Sequence, residues 1–120
     1  MKDKNERVYK DIVQDIIKIR TGVFSFTIKT NNSIIVDYLL TTQAKYDVFK
    51  KQVVYHNEPV VAGVKAKTME VNMFMNIVKE VINECPFGAT TFTLSIRNYV
   101  PLLGSLVVSI NQRKKYKVDN

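Results

Sequence analysis

The stretches VFSFTIK, residues 23–29, and TTFTLSIR, residues 90–97, decide the fold of this chain. In each of them apolar and polar side chains alternate strictly, which is the period of a β-strand with one buried face. The residues on the two apolar faces are Phe24, Phe26, Ile28, Phe92, Leu94 and Ile96. We therefore predict an antiparallel sheet with one face turned towards the core.

An amphipathic helix is predicted before each of these strands. Apolar residues recur at steps of three and four over residues 8–20 and again over residues 68–85. Gly22 follows the first stretch and Thr68 can cap the start of the second. Pro86 ends the second helix, because proline disfavours helical geometry in the residue before it.

The segment between the two helix–strand units is predicted to hold a hairpin, a short helix and a second hairpin. The turn sequence TNNS at 30–33 leads into IIVDYLL at 34–40, as expected of a hairpin. Tyr46, Phe49 and Val53 share one face of a predicted helix over residues 43–52. The β-branched runs on either side of residues 57–59 then predict a second hairpin.

The chain is expected to end in a turn, a strand and a basic tail. A turn over residues 101–104 precedes the strand LVVSIN at 106–111, whose apolar face holds Leu106, Val108 and Ile110. Residues 112–120 then form the tail. We therefore predict one domain over residues 1–111, followed by the tail.

The two helix–strand units resemble each other in sequence. DIVQDII at 11–17 and FSFTIK at 24–29 are matched by NIVKEVI at 76–82 and FTLSIR at 92–97. This similarity suggests a pseudo-repeat of two α-β-β units, although amphipathic segments rich in Ile and Val often look alike. The predicted fold class is α+β, an antiparallel sheet with helices on one face.

The residues that support catalysis or metal binding are scarce. His56 is the only histidine and Cys85 the only cysteine, and the carboxylates show no metal-loop spacing. The four glycines stand singly, so no phosphate loop is predicted. We expect no enzyme activity, no metal and no cofactor.

The formal net charge of +7 favours a phosphate-rich partner. Its excess lies in a middle region and in the tail, and our leading hypothesis is nucleic-acid binding, in a homodimer. The residues predicted to make the contacts are Lys45, Lys50, Lys51, Lys65, Lys67, Arg113, Lys114, Lys115 and Lys117.

Two alternatives use other surfaces. The loop IRNYVPLLG at 96–104 is expected to pack over one end of the core or to bind a protein partner through Tyr99, Leu102 and Leu103. The polar face of the sheet offers hydroxyls and two cations, and its residues Lys29, Ser95 and Arg97 are candidates for a small anionic nucleotide or for an oligomer contact.

The expected setting is the cytoplasm. The lone cysteine fits a reducing compartment, and the apolar segments are shorter than the roughly 18 residues that a membrane span needs. The abundance of Lys, Asn and Ile suggests an AT-rich genome and hence an accessory or regulatory protein of a phage or plasmid.

Overall fold

The computed structural model describes residues 2–63 and 68–112, with side chains from Lys4 onwards. Two helices and seven strands lie within these ranges, with five strands after the first helix and two after the second. The helices are α1 (Lys2–Ile16) and α2 (Thr68–Glu84). The strands are β1 (Ile19–Asn31), β2 (Ile34–Thr41), β3 (Ala44–Asp47), β4 (Gln52–Tyr55), β5 (Glu58–Pro59), β6 (Gly88–Arg97) and β7 (Val100–Gln112).

The main sheet is antiparallel and has the order β2-β1-β6-β7, with the short β5 added to the start of β1. The central pair, β1 and β6, runs in register from Gly22 opposite Ile96 to Thr30 opposite Gly88. Both predicted strands therefore exist and lie next to each other. The α+β fold class is confirmed.

The core lies between one face of this sheet and the two helices. Phe26 stacks on Phe92 with ring centroids 5.0 Å apart, and Phe74 of α2 meets both rings edge-on. Ile12 and Ile16 of α1 are buried in the same cluster. The strict alternation in β1 and β6 thus sends every second side chain into one aromatic and aliphatic core, as the sequence pattern predicts.

The element order contains helix, strand, strand twice, as α1-β1-β2 and α2-β6-β7. The first strand of each unit occupies the centre of the sheet and the second strand occupies an edge. The pseudo-repeat of two α-β-β units stays a prediction.

The predicted helix over residues 43–52 is wrong. Residues 44–55 form a hairpin in which β3 pairs with β4, from Ala44 opposite Tyr55 to Asp47 opposite Gln52, and with no other strand of the described ranges. Tyr46 and Val53 have the spacing of a helical stripe, but both are exposed, so no core surface is present to favour a helix. The predicted pairing across residues 57–59 is also wrong, because β5 pairs with β1.

The turn before the last strand lies earlier than predicted. The chain reverses at Asn98 and Tyr99, whose φ angles of 47° and 70° suit the two central positions of a tight hairpin. Pro101 lies within β7, a position that proline tolerates because β7 is an edge strand. The irregularity expected at residues 101–104 is instead a bulge, where the register shifts between Thr93 and Ser95.

The ends of some elements also differ from expectation. Helix α1 ends at Ile16, so that Ile19 belongs to β1. Strand β7 continues to Gln112, one residue into the predicted tail. The remainder of that tail, residues 113–120, lies outside the described residues.

Candidate functional site

A hairpin that projects from the core is the most unusual feature of the molecule. We define the arm as residues 42–56, which hold β3, a turn at 48–51 and β4. Every arm residue except Asp47 is exposed. At about 3.4 Å per strand residue, the tip of the arm lies roughly 20 Å from its base.

The tip of the arm is built around Asp47. Its carboxylate oxygen Oδ1 accepts hydrogen bonds from the backbone N–H groups of Phe49 and Lys50, both at 3.0 Å. Lys51 closes the turn with a φ of 53°, in the left-handed region. The turn leaves the Phe49 side chain 98% exposed, next in sequence to Lys50 and Lys51.

The two faces of the arm differ in chemistry. Cross-strand pairing places Tyr46, Val53 and Tyr55 on one face, and all three are exposed. Lys45 lies on the other face, opposite Val54. Within the two strands, the aromatic surface and the positive charge of Lys45 therefore lie on opposite faces.

The base of the arm is fixed to β1 by Asn57. Its side-chain Oδ1 accepts from the Val23 N–H at 2.9 Å, and its Nδ2 donates to the Val23 carbonyl at 2.8 Å. A Cβ on Gly22 would lie 2.1 Å from that Oδ1, so the close approach requires glycine at position 22. His56 adds a bond from its backbone N–H to the Gln43 carbonyl at 3.2 Å.

Three of the residues predicted to bind nucleic acid lie in the described part of the chain, and the others do not. Lys45, Lys50 and Lys51 lie together on the arm and are exposed. The remaining candidates lie outside the described residues: Lys65, Lys67, Arg113, Lys114, Lys115 and Lys117.

The polar face of the sheet lies opposite both helices. Its hydroxyls pair with one another across β1 and β6, with Ser25 Oγ 3.1 Å from Thr93 Oγ1 and Thr27 Oγ1 2.8 Å from Thr91 Oγ1. These groups therefore satisfy much of their own hydrogen-bonding capacity.

Lys29 and Arg97 do not share a site. Lys29 is opposite Ala89, and Arg97 lies eight positions along β6 from Ala89, a distance of about 27 Å. Ser95 lies two residues from Arg97, near the same end of the sheet. The nucleotide hypothesis, which requires Lys29 and Arg97 around one small ligand, is not favoured by this placement.

The loop at 96–104 packs on the body of the protein. Tyr99 is only 9% exposed, and its hydroxyl oxygen accepts from the Val61 N–H at 2.9 Å. Leu103 packs against the core, and only Leu102 of the three predicted contact residues is exposed. The protein-contact hypothesis therefore loses Tyr99 as an accessible anchor.

The single histidine and cysteine occupy different ends of the molecule. His56 is exposed at the base of the arm, near Val23. Cys85 is buried, and its carbonyl accepts from Thr30 Oγ1 at 2.8 Å, near the far end of β1. Within residues 2–63 and 68–112, no three His, Cys, Asp or Glu side chains are grouped to hold a metal ion.

The aromatic residues of the arm were missed as a site by sequence reasoning. Tyr46 and Phe49 were assigned to the apolar side of a helix, where they would be buried. A usable signal was present in the sequence DVFKK at 47–51, since Asp commonly bonds to the backbone two or three residues ahead in a turn.

Comparison with known proteins finds no match to a family model, to a curated protein or to a solved structure. The description of this protein therefore rests on its fold and its candidate site: it is a small α+β protein with a basic, aromatic arm. No helix within the described ranges is both long and apolar enough to cross a membrane.

Proposed function

We propose that this chain is a non-enzymatic protein that binds nucleic acid through the arm, with a preference for single strands. The observation that supports this function best is the tip, where Phe49 is 98% exposed beside Lys50 and Lys51. Lysines neutralise phosphates and release counterions, while exposed aromatic rings stack on unpaired bases.

No residue of the arm belongs to the core formed by the described residues, and this supports the same function. A two-stranded hairpin on its own is at best marginally stable in water, and its apolar side chains gain little while they stay exposed. A bound strand would cover Phe49 and the face formed by Tyr46 and Tyr55. A hairpin with a structural role would bury its apolar side chains by packing on the core. We infer that the arm instead lowers its free energy by burying them against a bound partner.

The single-strand preference follows from the ring positions. Bases in a duplex are already stacked, so a ring can reach a base face only after the bases separate. Duplex binding is expected to use the lysines alone and to be weaker. Cytoplasmic location is part of this proposal and is supported by the free thiol of Cys85.

The first test replaces Phe49 with alanine. We expect Phe49→Ala to weaken binding of a fluorescent single-stranded oligonucleotide by about 5- to 150-fold, since stacking contributes about 1–3 kcal/mol per base. Fluorescence anisotropy gives the affinity, and thermal unfolding gives the stability. Because this ring is exposed, the unfolding temperature should not change.

The second test distinguishes phosphate binding by the lysines of the arm from a general effect of the protein's net charge. Neutralising the arm in Lys45→Gln/Lys50→Gln/Lys51→Gln should reduce the slope of log affinity against log salt by about 2 for a single strand. The matched control is Lys4→Gln/Arg7→Gln/Lys10→Gln, which removes the same charge from exposed positions of α1. The control should keep the wild-type slope.

Three results would overturn the proposal. They are binding that ignores salt, equal loss of slope in the arm triple and the α1 triple, or wild-type affinity in Phe49→Ala. A duplex bound more tightly than its single strand would remove the stacking mechanism.

A further inference from the structure

Among the described residues, β7 and β2 form the two edges of the sheet, and these two edges differ. Strand β2 carries Asp37 and a register irregularity opposite Lys29 and Thr30, two features that discourage pairing with another chain. The last part of β7, LVVSINQ at 106–112, contains no charged residue and no proline. In a protein of net charge +7, it is an uncharged stretch of strand edge at which two copies can pair without placing like charges opposite each other.

Apolar side chains extend on both faces of that edge. Val107 is opposite Thr93, on the polar face of the sheet, and is 63% exposed. Ile110 is opposite the buried Thr90, on the helix side, and is 45% exposed. An incoming strand would therefore cover apolar surface above and below the sheet.

Helix α2 continues this apolar surface. Lys79 Nζ lies 5.4 Å from the centre of the Tyr9 ring, which identifies the side of α2 that faces α1. At 100° per residue, Ile77 and Val81 lie about 160° around the helix from Lys79. They therefore lie on the side of α2 away from α1, and both remain only partly buried. Because α1 contacts β2 and α2 contacts β7, this is the side nearer the outer edge of β7.

We propose that two copies of this chain form a dimer by antiparallel pairing of β7 with β7. The rows β2-β1-β6-β7 of the two copies then join about a two-fold axis into one continuous row of eight strands. Ile77 and Val81 of the two α2 helices pack against each other beside the new strand pair. This proposal does not depend on nucleic-acid binding, since the arm follows β2 on the opposite edge of each sheet.

A second copy is the occupant that the edge fits. Residues 106–112 can pair with themselves because an antiparallel strand pair about a two-fold axis brings the same segment together twice. Main-chain hydrogen bonds supply the pairing, and the uncharged side chains leave both copies compatible. Edge pairing alone buries little area, and the flank of α2 enlarges the contact towards the range of stable dimers.

The test is the mass of the full chain in solution, measured by sedimentation over a range of concentrations. The wild type is expected at twice 13.8 kDa. Val107→Lys/Ile110→Lys places four like charges at the interface and should weaken the dimer by at least about tenfold. The matched control is Leu39→Lys/Leu40→Lys, which adds the same charge at two apolar positions of β2 that are 46% and 44% exposed, and it should remain dimeric.

A cross-linking variant covers the case in which the double lysine variant fails to fold. Ser109 is the midpoint of residues 106–112, so two copies of Ser109→Cys should be joined by oxidation, while Leu39→Cys should not. Buried Cys85 is not expected to compete. A monomeric wild type, or a dimer that keeps its mass in Val107→Lys/Ile110→Lys, would overturn the proposal. A dimer lost in Phe49→Ala would assign the interface to the arm instead.

Discussion

A buried threonine hydroxyl can stabilise a core when it has a hydrogen-bond partner and destabilise it when it has none, and this core shows both cases. Thr30 Oγ1 donates to the Cys85 carbonyl, so burial of that hydroxyl is compensated. Thr90 is 1% exposed, and its Oγ1 has no hydrogen-bond partner among the described residues. A buried hydroxyl without a partner costs roughly 1–3 kcal/mol.

Replacing each threonine with valine should change stability in opposite directions. Thr90→Val should raise the free energy of unfolding by about 1 kcal/mol, because it removes an unpaired polar group at nearly constant shape. Thr30→Val should lower it by about 1–3 kcal/mol, because it leaves the Cys85 carbonyl unpaired. Urea unfolding followed by circular dichroism measures both. A loss of stability in Thr90→Val would show that this hydroxyl has a partner.

Tyr38 gives the fold a dependence on alkaline pH. Burial, and its hydrogen bond of 2.8 Å to Asp15 Oδ2, raise the pKa of the Tyr38 hydroxyl above its usual value. The folded state therefore favours the protonated phenol. That contribution is complete below the unfolded pKa of about 10 and decreases as the pH rises above it.

The loss of stability caused by Tyr38→Phe should therefore become smaller as the solution becomes alkaline. Near pH 8 the variant should be less stable than the wild type, because the bond to Asp15 is lost. Above pH 10 the difference should narrow, since the unfolded wild-type chain ionises. Urea titrations at a series of pH values measure this difference, and a constant difference across the series would contradict the assignment.

At the scale of elements, the sequence predicted those segments whose periodicity matches their burial. Helix α2 and strands β1 and β6 have apolar side chains at the period that the core requires, and all three were predicted. The helix predicted over residues 43–52 was wrong because Tyr46, Phe49 and Val53 have helical spacing but are all exposed. The arm depends on the Asp47 turn and on the bonds from Asn57 to Val23, which no periodicity reveals.

Asn57 is expected to hold the direction of the arm. Asn57→Ala removes both bonds to Val23 and should lower the free energy of unfolding by about 1–2 kcal/mol. The Val23 amide should then exchange its hydrogen faster, and backbone order parameters within the arm should fall. Asn76→Ala, at an exposed position of α2, is the control and should leave both unchanged. An unchanged Val23 amide in Asn57→Ala would rule out this role.

At the scale of the whole molecule, stability is concentrated in one layer. The strands β1 and β6 are paired on both edges and carry three of the four buried phenylalanines, whereas no arm residue belongs to the core that the described residues form. Local opening of a protein follows such differences, with core strands opening only on global unfolding. The arm and the sheet are therefore expected to open independently.

Native-state hydrogen exchange should separate these two units. Amides of residues 24–28 and 91–95 should exchange only through global unfolding, while those of β3 and β4 should exchange far faster. Mass spectrometry of peptic fragments, over a series of low urea concentrations, distinguishes the two classes. Equal protection in β3 and β1 would mean that the arm is covered in solution.

The attachment of the arm also bears on how this protein can diverge. The arm leaves the body after Thr41, which pairs with Ser25, and returns at Asn57, which bonds to Val23 two residues away. Its two ends therefore meet the body close together, as the ends of a tolerated insertion do. Selection can lengthen, shorten or rewrite the arm while every core residue stays as it is, so binding preference can evolve at little risk to folding.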